Sequence, residues 1–128
     1  MSDGPDDPKE VVTQICRLFA EHRGMEAVER YFAPDYIEHN PEIPGGDLDG
    51  FKDLLVQAGL DVPSGRKLEM EVLHMIAEGP DVFVHSTARE AGGPALTIME
   101  IYRIREGKAV EHWDVMQAEG GHIDLLGE

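Results

Sequence analysis

Four consecutive residues, Glu111, His112, Trp113 and Asp114, bring two carboxylates, an imidazole and the sole tryptophan together within the segment KAVEHWDVMQ at 108–117. A carboxylate beside a histidine can form a catalytic dyad. An indole beside an acid can wall a pocket in which that acid abstracts a proton. Enolisation needs such a base at the carbon and a hydrogen-bond donor that holds the enolate oxygen. Glu100, His39 and His85 are the candidate bases. Asn40 and Gln117 are candidates for orienting the oxygen, and Tyr36 lies in the same DYIEHNP segment (35–41) as His39 and Asn40.

Strand-like patterning positions these residues. The stretch TIMEIYRIR at 97–105 is β-branched and aromatic, and Glu106-Gly107 supplies a tight turn into 108–117, which makes a hairpin. Side chains on a strand alternate faces, so Glu111, Trp113, Val115 and Gln117 share one side, and Val110, His112, Asp114 and Met116 the other. A regular two-residue hairpin puts Glu100 opposite Trp113, with Ile98 and Tyr102 beside it. That side is read as the pocket. His112 and Asp114 then fall on the outer sheet with Met99, Ile101, Arg103 and Met116, an apolar surface fit for a homodimer. If the two sides are exchanged, His112 and Asp114 become a dyad in the pocket instead.

Upstream, Val11, Val12, Ile15, Leu18 and Phe19 recur at helical spacing from Lys9 onward, and Gly24 follows the helix end. A shorter helix over 25–32 is stopped by Pro34, and a third carries Phe51, Leu54, Leu55 and Ala58, capped by Asp47 or Asp49 and closed by Gly59. Strands follow at 68–77 and at 82–88, the second containing His85. Helices first and antiparallel strands after imply an α+β fold, with helices packed on a curved, antiparallel or mixed sheet and a cavity between the layers. Residues 1–8 are expected to be a disordered N-terminus, and 9–128 a single domain.

A formal charge of −15 argues against nucleic-acid and anionic-membrane partners. No apolar run reaches membrane-spanning length, no secretory signal is visible, and the single Cys16 is read as a buried, inert thiol. A reducing, cytoplasmic setting is therefore expected. His39, His85, His112, Asp114 and Glu100 could in principle gather around a metal, but no HxH or HExxH spacing supports one. No GxGxxG, Walker or Gly-x-Ser-x-Gly pattern appears. Neither a cofactor nor a metal is expected.

The segments YIEHNP (36–41), VHS (84–86) and EIYRI…GKAVEHWDVMQ (100–117) resemble the SnoaL-like polyketide cyclase branch of the nuclear-transport-factor-two-like superfamily, and within it the group of predicted SnoaL-like aldol-condensation enzymes. The resemblance runs from about residue 9 to 118. It implies a cone-shaped α+β barrel with a deep pocket, commonly dimeric through the outer sheet face. It also implies aldol-type cyclisation or isomerisation of a small carbonyl compound, or ligand binding without turnover. In the cyclases of this family an aspartate base stands four positions after the tryptophan, where this chain has Gln117, an amide that cannot shuttle a proton as a carboxylate does.

Overall fold

The structure is a computed structural model that describes residues 7–63, 68–90 and 93–119. Helix α1 (Pro8–Ala20) starts where Pro8 supplies a pre-set φ, and Asp7 caps it by accepting from the Glu10 N–H at 3.3 Å. The expected disorder of 1–8 thus gives way to a helix start at Asp7 and Pro8, while residues 1–6 lie outside the described ones. The apolar positions read from the sequence, Val11, Val12, Ile15, Leu18 and Phe19, are all buried.

Helix α2 (Gly24–Tyr31) ends one residue earlier than expected. Phe32 already has extended backbone and opens strand β1 (Phe32–Glu38), so Pro34 sits inside a strand. An edge strand tolerates this because one side of its backbone needs no ladder donor. A 3-10 turn (Pro44–Gly46) leads into α3 (Leu48–Ala58). Asp47 caps α3 by accepting from the Gly50 N–H at 2.9 Å, and Gly59 closes it with φ 73°.

Strands β2 (Leu68–Glu78), β3 (Asp81–Glu90), β4 (Ala95–Arg105) and β5 (Lys108–Ala118) form an antiparallel meander. Strand β1 returns to pair parallel with β5, giving the mixed order β1-β5-β4-β3-β2. The α+β class holds, with helices covering one side of the sheet. Val82, Val84, Tyr102, Ile104 and Ala109 meet the apolar stripe of α1 and the ring cluster of Phe19, Phe32, Tyr36 and Phe51. Among the described residues no helix is long and apolar enough to cross a membrane.

One detail of the hairpin decides which side chains point inward. Glu106 (φ 51°) and Gly107 (φ 76°) form the expected two-residue turn between Arg105 and Lys108. The pairing then runs Ile104 with Ala109 but Arg103 with Glu111, leaving Val110 as an extra residue in a β-bulge. A one-residue slip moves every later side chain to the other face. Tyr102 therefore faces His112, Glu100 faces Asp114, and Ile98 faces Met116.

Candidate functional site

The bulge corrects the sequence reading of the two sheet faces. His112, Asp114 and Met116 point under the helices, together with Ile98, Glu100 and Tyr102, and line a cavity of about 280 Å³. Glu111, Trp113, Val115 and Gln117 belong to the opposite, outer side, and Gln117 is exposed. Trp113 is not the wall of this cavity, and Gln117 cannot orient an oxygen in it. Trp113 instead lines a second hollow with His39, Phe83, Met99, Ile101 and Val115, which Glu100 and Asp114 also border.

Inside, the polar residues form one connected group. The His112 ring is 4 % exposed and is held from both ends. Its Nδ1 lies 2.9 and 3.0 Å from the Glu38 carboxylate oxygens, and its Nε2 lies 2.8 Å from Glu100 Oε1. Burial alone would lower the pKa of His112. Hydrogen bonds to Glu100 and Glu38, and their charges, outweigh it and raise the value to about 10. His112 is thus an imidazolium with both N–H groups committed.

Glu38 also accepts from the Tyr36 hydroxyl and from the Asn40 backbone N–H at 3.1 Å. Burial disfavours its charge, but His112, Tyr36 and the Asn40 N–H prevail and hold its carboxyl below the usual range. Tyr36 is pushed the other way, by burial first and then by the adjacent Glu38 charge. It packs among Phe32 and Phe51 and supports Glu38, rather than lining the cavity as a substrate-binding residue. Asn40 does line the cavity, and its side chain is among the groups that lower the Asp114 pKa.

Asp114 is the group left incomplete. Its Oδ1 is buried and has no hydrogen-bond partner. Burial raises its pKa, and the Glu38 and Glu100 charges raise it further, against lowering by His112 and Asn40. A buried oxygen without a donor, next to two other carboxylates, is where an additional proton is best held. The cluster therefore places Glu100, bonded to the His112 ring, directly across the strand pair from Asp114, a carboxyl whose pKa is raised.

His39 and His85 are not part of this group. The His39 ring stacks on Trp113 (centroids 4.8 Å apart, 4° between planes), and its Nε2 is 2.6 Å from Glu111 Oε2. Arg103 lies over the same indole at 5.1 Å and bonds both Glu111 and Asp81. His85 lies between the buried Val84 and Ser86, so it faces outward, with its Nδ1 3.1 Å from that of His74. Neither histidine reaches the cavity as a base.

The two motifs interlock on both sides of the sheet. Ile37 pairs with Glu111 and Glu38 with His112, and the His39 N–H donates to the His112 carbonyl at 3.0 Å. Alternation then sends Glu38 and Asn40 inward to His112 and Asp114, while His39 goes outward to Glu111 and Trp113. Glu38 is the residue the sequence reading missed. The alternation of Tyr36, Glu38 and Asn40 was the available signal, since all three share a face. Among the described residues no group of three or more His, Cys, Asp or Glu side chains is arranged to hold a metal ion.

The sequence pattern of the SnoaL-like domain matches residues 12–112, spanning the elements that build this cavity except the end of β5. The chain belongs to the SnoaL-like domain family. Solved structures share the fold at low identity. Wild-type IdmH, a putative polyketide cyclase from Streptomyces antibioticus, is 21% identical over 87% of this chain and 92% of its own, with a TM-score of 0.68. A putative ketosteroid isomerase from Kribbella flavida is 16% identical over 94% and 83%, also at 0.68. An NTF2-like protein of unknown function from Cytophaga hutchinsonii is 14% identical over 91% and 95%, at 0.65. No curated protein matches the chain. The SnoaL-like fold hosts several chemistries, so the site has to carry any argument about the reaction.

Proposed function

We propose that this SnoaL-like protein acts on a small carbonyl compound by proton abstraction and enolate stabilisation, leading to aldol-type cyclisation or isomerisation. The observation that carries the reading is the pairing of Glu100 and Asp114 across the cavity wall, one acid ion-paired to His112 and the other buried with an unpartnered oxygen. Glu100 takes the proton from the carbon next to the carbonyl, and the C–H electron pair becomes the C=C bond of the enolate. The carbonyl π pair moves to oxygen, where the Asp114 O–H donates. Where a C=C bond is conjugated with the enolate, Glu100 returning the proton to the far carbon of the dienolate completes an isomerisation. In an aldol step the enolate carbon attacks a second carbonyl, the first carbonyl re-forms, the new alkoxide takes the Asp114 proton, and the proton held by Glu100 restores Asp114. His112 stays protonated throughout and fixes Glu100 in place.

Exchange of the α-protons of 2-acetylnaphthalene in D2O, followed by proton NMR, tests this. The enzyme should accelerate exchange of the acetyl protons, and Glu100→Gln should abolish the acceleration while circular dichroism stays unchanged. A ligand-binding module without turnover would bind the ketone and leave exchange at the solvent rate.

Proteins that share the fold include a putative polyketide cyclase and a putative ketosteroid isomerase, which supports this class of chemistry. We also propose a homodimer through the outer sheet face. Ile76, Met99, Ile101 and Val115 are exposed there beside the Trp113 hollow, an apolar surface that a second copy would cover. Light scattering on the purified protein should give twice the monomer mass, and Ile101→Glu should halve it.

A further inference from the structure

The cavity has one polar end and one apolar end, and they differ in depth. Glu38, Tyr102 and His112 at the polar end are 3–4 % exposed, whereas Met116, two positions beyond Asp114 on the same face of β5, is 53 % exposed. From His112 to Met116 the strand advances about 13 Å. Leu96 and Met70 stand near Met116 as partly exposed apolar walls, so the open end is greasy and the closed end is acidic.

Charge sharpens the picture. Among the described residues that line the cavity none is Lys or Arg. The one cation among the described lining residues, His112, has both N–H groups bound to Glu38 and Glu100. An anionic ligand would meet three carboxyl groups and no free cationic donor, in surroundings where like charges repel more strongly than in water. An uncharged oxygen would meet the Asp114 carboxyl, whose buried Oδ1 has no partner.

We infer that the cavity selects an uncharged, mainly apolar molecule with a single ketone or aldehyde oxygen, admits it oxygen first, and excludes the corresponding carboxylate. The volume of about 280 Å³, enough for about nine waters, fits a bicyclic skeleton. This rests on the proposed use of the cavity as the substrate site, and adds to it the charge, the size and the direction of entry.

The test uses two ligands of the same shape, 2-acetylnaphthalene and 2-naphthoate, titrated into the full-length protein near neutral pH by calorimetry. The ketone should bind at least about tenfold more tightly than the acid. Glu100→Gln, or Asp114→Asn if the first variant fails to fold, should narrow that preference by letting the acid in. NMR contacts should place the acetyl methyl by the His112 ring and the far naphthalene edge by the Met116 methyl. Equal or tighter binding of naphthoate overturns the inference, as does the reversed orientation or no binding of the ketone. The same ketone separates this inference from the proposed reaction. Selective, oriented binding without proton exchange removes only the reaction, and exchange with indiscriminate binding removes only the inference.

Discussion

Replacing His112 with Phe keeps a ring of similar size against Tyr102, whose ring centroid lies 4.5 Å away, but removes the charge and both N–H donors. Glu38 and Glu100 are then left under the helices without a counter-charge, and Asp114 stands beside them. In the native protein the rise of His112 from its ordinary 6.5 to about 10 is a statement about stability. A raised value means that the contribution is fully present below about 6.5 and is lost as pH rises through about 10. At pH 7 it amounts to about 4 kcal/mol. Removing one partner of a buried ion pair costs about 3–5 kcal/mol in other proteins, so two independent routes agree.

Urea unfolding followed by the single tryptophan measures this directly, because Trp113 lies on the outer face and its surroundings are untouched by the substitution. At pH 7 the His112→Phe variant should be less stable by about 4 kcal/mol. The native protein should lose stability between pH 7 and 10 more steeply than the variant does. Acidification should recover part of the variant's deficit, since the stranded carboxylates can then take up protons. A loss under about 1 kcal/mol that does not change with pH would refute the reasoning. The Glu38–His112–Glu100 chain would then be a set of solvated contacts and not a buried charge cluster.

The remaining predictions probe other parts of the same argument. Burial, with a smaller push from the Glu100 charge, raises the Cys16 thiol to about 12, so a disulfide reagent should label it at a negligible rate in the native protein and rapidly in urea. Deleting Val110 removes the bulge and makes Ile104–Ala109 and Arg103–Glu111 successive pairs of a regular hairpin, so His112 and Asp114 should keep pointing under the helices and circular dichroism should show a cooperatively folded protein. His39→Ala removes the half-exposed ion pair with Glu111 and the stack on Trp113. It should cost about 1 kcal/mol or less and change the fluorescence of Trp113, leaving ligand binding in the cavity intact.

Much of the architecture was legible in the chain. The helical stripe of Val11, Val12, Ile15, Leu18 and Phe19, the Asp47 cap, the Gly59 stop and the Glu106-Gly107 turn all follow from spacing and local backbone preference, and each is where that reading places it. The membership of the site was partly legible too, since Glu100, His112, Asp114 and Asn40 are brought together around one cavity. The sidedness was not. It depends on the unpaired Val110, one residue that no local pattern distinguishes from a regular hairpin and that inverts every later position on the strand.

Glu38 illustrates the other limit. Its partner His112 lies 74 positions along the chain, and only the return of β1 to pair parallel with β5 brings the two within 3.0 Å. By itself the sequence determined that Glu100, His112, Asp114 and Asn40 were candidates for acid–base chemistry, and which elements would carry them, because helix and strand periods and turn chemistry act over a few residues. Only the tertiary structure decided which of them meet out of water. Strand register and a bulge are set by how whole strands pair and pack, and they are not a property of any short stretch of the chain.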